Sequence, residues 1–107
     1  MRKDRILIEK SQIPYRFSIP LDADKYLLEI RYNSEIDLFT IGLYNNLGKL
    51  LCVEPIIYNS ELFKSHYKAG TYPAIVIIPS DESGTNTAVT WDNFNDTVFL
   101  LIDNGGE

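Results

Sequence analysis

A single cysteine and a single histidine stand among the 107 residues, and that scarcity removes whole classes of chemistry. Cys52 has no partner for an internal disulfide, which suits a reducing compartment. His66 leaves no second imidazole for a zinc site and no rival geometry for a Ser-His-Asp set. No apolar run approaches the roughly 20 residues that span a bilayer. Residues Met1 to Lys10 lack a secretory h-region followed by a small-residue cleavage site. The expectation is a chain that acts where it is made or inside an assembly. No basic stripe interleaved with aromatics appears, so nucleic acid is not an expected partner. From Asp81 to Glu107 there is no Lys or Arg, only Asp81, Glu82, Asp92, Asp96, Asp103 and Glu107, for a local charge of -6.

What the chain does hold is a β pattern. Hydrophobic residues make up 45% and aromatics 12%, enough for one packed core and too much for wholesale disorder. From Ile36 to Val53 (IDLFTIGLYNNLGKLLCV) apolar side chains alternate, stop at Asn45-Asn46-Leu47-Gly48, and resume at Leu50. Period-2 alternation broken by an Asn/Gly turn predicts a β-hairpin, with Gly48 in the φ > 0 position of its loop. Tyr15 to Ile19 predicts a strand with Tyr15, Phe17 and Ile19 on one face, ended by Pro20. Lys25 to Asn33 predicts another, with Tyr26, Leu28, Ile30 and Tyr32 inward and Glu29 and Arg31 on the solvent face. Pro73 to Pro79 (PAIVIIP) reads as a strand buried on both faces, and Thr97 to Asp103 as the last strand. Asn59 or Ser60 caps one short helical turn ending near Tyr67.

These elements make an all-β fold, a small antiparallel barrel or sandwich with one short helical turn. Tyr26, Leu28, Ile30, Phe39, Ile41, Ile75, Ile77, Phe99 and Leu101 are its expected core. Residues 1–12 read as a charged N-terminal arm, 13–103 as one β domain and 104–107 as a flexible tail. The arm carries Arg2, Lys3, Arg5 and Lys10 against Asp4 and Glu9, a charge of +2 opposed to the acidic end. Oppositely charged ends fit a module that meets different neighbours at each end.

No constellation of catalytic, cofactor-binding or metal-ligating residues emerges, so no enzyme activity, cofactor or small-molecule substrate is expected. Cys52 in LLCVE reads as a small apolar strand residue. Asp92, Asn93, Asn95 and Asp96 are oxygen donors at close spacing, conceivable for calcium. They lack the loop glycine and distal Glu of an EF-hand, and a turn of Asx side chains bonded to backbone amides is the favoured reading. The seven tyrosines with Trp91 suit protein contacts or, as the alternative, a small β-barrel ligand- or carbohydrate-binding module. Arg2, Lys3, Arg5, Tyr44, Tyr58, Trp91 and Asp92 are the candidate interface residues.

The order of segments resembles the baseplate plug proteins of contractile-tailed bacteriophages. The carriers are the aromatic-Asn step Tyr32-Asn33, the hairpin Leu43-Tyr44-Asn45-Asn46-Leu47-Gly48, the apolar run with Pro-x-Asp from Ile75 to Asp81, and Trp91-Asp92-Asn93-Phe94 leading into the final strand. The likeness spans roughly Ile13 to Asp103. Asn45 stands where the family more usually has Asp. The resemblance implies a structural component of a phage tail or phage-derived particle, made in the bacterial host cytoplasm and sited in the virion baseplate. Its implied partners are other baseplate, hub and tail-tube proteins, with no membrane.

Overall fold

Seven strands assemble as the alternation requires, in two antiparallel sheets of a computed structural model that describes residues 3–21, 24–64, 76–81, 84, 85 and 87–103. In chain order the strands are β1 (Lys3–Ile6), β2 (Tyr15–Leu21), β3 (Asp24–Asn33), β4 (Leu38–Tyr44), β5 (Leu50–Pro55), β6 (Val76–Ser80) and β7 (Phe99–Asp103). One sheet runs β2-β3-β4-β5, a meander of sequential hairpins, and the other runs β1-β7-β6. The sheets do not close into a barrel, so the sandwich form of the expected fold is the one adopted.

Register decides which side chains face the core. In β3 and β4 the pairs Leu28↔Leu43, Ile30↔Ile41 and Tyr32↔Phe39 share a face, and Leu28, Ile30, Phe39, Ile41 and Leu43 are fully buried. The second sheet contributes Ile6, Ile77 and Leu100, and one continuous cluster joins both sheets. Of the expected core, Phe99 is only half-buried and Ile75 lies outside the described residues. Leu101 is buried but stands apart from that cluster.

Three local features differ from the pattern in the sequence. The strand from Tyr15 continues through Pro20 to Leu21, which is buried. β2 is a sheet edge, where a residue without an N–H costs no ladder bond. The segment expected as a charged arm forms β1 over Lys3–Ile6, paired to β7 through Arg5↔Leu101 and Ile6↔Leu100, with Ile6 and Ile8 buried. A short 3-10 turn, Lys10–Gln12, then leads into β2.

At the expected helical turn, Phe63 takes φ 66. That backbone does not continue a right-handed helix. Phe63 donates its N–H to Glu54 Oε1 at 2.8 Å and buries its ring. The rest of that turn, with His66 and Tyr67, lies outside the described residues, as does the 104–107 tail. Asn59 and Leu62 donate backbone N–H to the carbonyls of Pro79 and Ile77, so this connection lies along the free side of β6.

The β4–β5 hairpin tip is organised by Asn45. Its Oδ1 accepts from the N–H of Leu47 (3.0 Å) and Lys49 (2.9 Å), and Gly48 sits at φ 85. A Cβ at Gly48 meets nothing within 4 Å, so only backbone strain opposes a side chain there. Gly48→Val is expected to lower the unfolding free energy by about 1–2 kcal/mol in a denaturant titration, and Gly48→Asn by less, because Asn tolerates the left-handed region. Equal midpoints for the Val and Asn variants would remove this account of the turn.

Candidate functional site

The candidate interface residues fall into separate places. Arg2 lies outside the described residues, and Lys3 is placed as the first residue of β1. Arg5 is exposed, with its guanidinium carbon 4.0 Å from the centre of the Phe99 ring. Tyr58, Trp91 and Asp92 come to one end of the sandwich, beside the β3–β4 turn, while Tyr44 lies at the other end of β4.

Trp91 is 38% exposed and caps an aromatic stack. Its ring is parallel to Phe39 at 5.9 Å and tilted against Tyr32 at 4.8 Å, and Phe39 packs on Phe94 at 4.6 Å beneath. Such pairs add about 0.5–1.5 kcal/mol each beyond their buried area. Lys10 donates its Nζ to the Trp91 carbonyl and stands 5.2 Å from the ring centre. The sequence pointed to Trp91 but not to the groups that fix it. Asp37, at φ 52, accepts from the Trp91 N–H (2.9 Å) and the Tyr32 hydroxyl (2.7 Å) with one oxygen. Asp37 and Tyr58 also line one small cleft of about 250 Å³ with Ile57 and Ala88, and exposed Ile36 adjoins Asp37 in the chain.

The hydrogen bond to Asp37, with lesser help from desolvation and the charges of Asp37 and Asp92, pushes the Tyr32 phenol up to about 12. The same bond, aided by the Trp91 N–H, holds the Asp37 carboxyl below its ordinary 3.8. The two shifts have opposite pH windows. Tyr32's contribution to stability is complete below pH 10.0, its ordinary value, and fades as pH rises toward 12. Asp37's contribution is complete above 3.8 and fades as pH falls through its depressed value. Asp37→Asn is therefore expected to bring Tyr32 ionisation back toward 10.0 in an alkaline absorbance titration of the folded protein. A titration unchanged from wild type would show that Asp37 does not set it.

Tyr44 is held rather than projecting. Gly42 leaves a gap in the outer face of the four-stranded sheet, and a Cβ there would lie 3.5 Å from the Tyr44 ring. The Tyr44 hydroxyl donates to Glu29 Oε1 at 2.6 Å, Arg31 donates to Glu29 Oε2 at 2.8 Å, and Arg16 stacks 4.0 Å over the Tyr44 ring. The bond from Tyr44 is the first cause of a lowered Glu29 pKa, opposed by desolvation and aided by Arg31 and Arg16. Glycine two residues before a tyrosine on a solvent-facing strand side was the available signal. Beyond β5 an open groove of about 900 Å³ is lined by Val53, Ile57, Glu61, Lys64 and Ile78 among others.

Of the close-spaced oxygen donors near Trp91, Asn93 and Asn95 bond the backbone. Asn93 Oδ1 accepts from the Thr90 N–H at 2.9 Å, and its amide donates to the Ala88 carbonyl at 2.9 Å. Asn95 Oδ1 accepts from the Ile8 N–H at 3.0 Å. Among the described residues no group of three or more His, Cys, Asp or Glu is placed to hold a metal ion. Cys52 is buried on the core face of β5, opposite Leu43.

Trp91 at the aromatic end and Leu47 at the hairpin tip, 88% exposed, are apolar side chains left at the surface. Among protein families, the one described as cyanophage baseplate Pam3 plug gp18 matches residues 4–105. The chain belongs to this family, which sets it among the structural proteins of phage baseplates. The match begins inside β1, so the family resemblance takes in the segment read from sequence as an appended arm. No curated protein and no solved structure matches the chain.

Proposed function

We propose that this protein works without catalysis, as a plug or hub-associated subunit at the tip of a contractile phage tail or a phage-derived injection particle. It is held there by contacts with other baseplate, hub and tail-tube proteins. The family match over residues 4–105 is the observation that carries this reading. The surface agrees with it: Ile36, Ile57 and Trp91 are exposed apolar side chains at or near the aromatic end, where large side chains serve as anchors. Tyr58, Trp91 and Asp92 form one contact region and Arg5 of β1 belongs to another, for which Arg2 and Lys3 are candidates from the sequence. Exposed charges select orientation there more than they add affinity.

Purified particles should contain the protein at the baseplate, visible by immunogold labelling. Cells in which its gene is deleted should yield tails with incomplete baseplates and no infectivity. Normal, infectious particles without any copy of the chain would overturn the plug reading.

A further inference from the structure

We infer that the outer face of the β2-β3-β4-β5 sheet is a docking surface for a carboxylate-rich surface of another baseplate protein. This rests on the baseplate reading and names the chemistry of one partner within it. The argument starts from register. The pairs Arg16↔Glu29, Pro20↔Lys25, Arg31↔Thr40, Glu29↔Gly42 and Gly42↔Val53 put Arg16, Lys25, Arg31 and Glu29 on the side opposite the core. Among the described side chains that face carries three cations and one acid in a chain of net charge -5. The surplus is positive where the molecule as a whole is negative.

Glu29 does not neutralise the face. Its side chain is 14% exposed and is already engaged by the Tyr44 hydroxyl and by Arg31, while Arg16 lies at 3.5 Å. The Arg16 and Arg31 side chains are left 45% and 63% exposed, and their guanidiniums carry more N–H donors than one carboxylate can accept. Both are also partly ordered in advance. Arg16 lies over the Tyr44 ring, Arg31 donates one hydrogen bond to Glu29, and the ring is seated over Gly42, so part of their side-chain freedom is already lost before docking. Beside these donors Leu50 and Val53 stand about half exposed, an apolar border of the kind that excludes water from a contact. Partly ordered donors, positive surplus and apolar border together fit a protein surface bearing Asp or Glu.

The test uses particles assembled in cells with a photo-reactive amino acid at Ser18 or Val53 on this face, or at Leu7 away from it. The expected result is that Ser18 and Val53 crosslink to an acidic segment of another baseplate protein, identified by mass spectrometry. Arg31→Glu should lower incorporation by about tenfold or more, since like charges then face each other. Arg31→Gln, with its circular dichroism and unfolding midpoint checked, should lower it less, which separates lost docking from lost folding. Crosslinks from Leu7 alone, crosslinks only to a second copy of the chain, or a neutral or basic partner segment would each overturn the docking face. Absence of the chain from purified particles would instead remove the baseplate reading, and this partner with it.

Discussion

Removal of residues 1–10 is expected to abolish the folded state. The segment carries two buried isoleucines, Ile6 and Ile8, both in the cluster that joins the sheets. Truncating one buried isoleucine to alanine costs about 2–5 kcal/mol, and a domain of this size is stable by only about 5–15 kcal/mol in all. The deletion also takes away β1, exposing the edge of β7, and an uncovered edge invites aggregation. It removes the N–H that Ile8 gives to Asn95 and the cation beside Trp91. Circular dichroism and denaturant unfolding of residues 11–107 should show no cooperative transition, with Ile6→Ala and Ile8→Ala as graded intermediates. A cooperative transition at the wild-type midpoint would return the segment to the status of an appended arm. Impaired particle assembly by this deletion then reports lost folding, so single charge changes at Arg2, Lys3 and Arg5 are the cleaner probe of contacts on that side.

The case of β1 shows where sequence reading weakens. Arg5-Ile6-Leu7-Ile8-Glu9 is a short apolar, β-prone run, but the charges around it gave the reading of residues 1–12 as an arm. In the structure Ile6 and Ile8 point inward and Leu7 outward, 67% exposed, so burial of two side chains of this apolar run outranked charge. Where alternation was uninterrupted, as through Tyr26, Leu28 and Ile30, the inward face could be assigned from sequence alone. Gly48 was equally legible, because only a few residue types tolerate its φ. Asp37 was not. Its role depends on Trp91, 54 residues away in the chain, and no local spacing encodes that pairing. Likewise Asn95 was read as a turn former, and its bond to Ile8 spans 87 residues. Tyr44 stood out as a tyrosine near a turn, but its orientation follows from the gap at Gly42 and the carboxylate of Glu29 on the neighbouring strand. Local periodicity therefore marked the strands, while the proposed contact surface arises from contacts between segments distant in sequence.

Ile77→Asp is expected to prevent folding outright. Ile77 lies at 1% exposure on β6, paired to Ile102 of β7, and its carbonyl also accepts from Leu62. A carboxylate at this position would face the apolar cluster that joins the two sheets. The unpaired charge must stay in a low-dielectric interior, take up a proton, or open the sheet, and each route costs several kcal/mol. Set against a total stability of about 5–15 kcal/mol, that cost leaves little or no native population. Ile77→Val removes one methylene and should cost only about 0.5–1.5 kcal/mol, so the pair of variants isolates charge burial from volume. Far-ultraviolet circular dichroism and soluble yield measure the first, and a denaturant midpoint the second. Protonation gives a further check. If desolvation is the cause, lowering the pH toward the range where a buried carboxyl is neutral should recover part of the native signal in Ile77→Asp. A soluble Ile77→Asp protein with the wild-type spectrum at neutral pH would place this residue at the surface and break the register between β6 and β7.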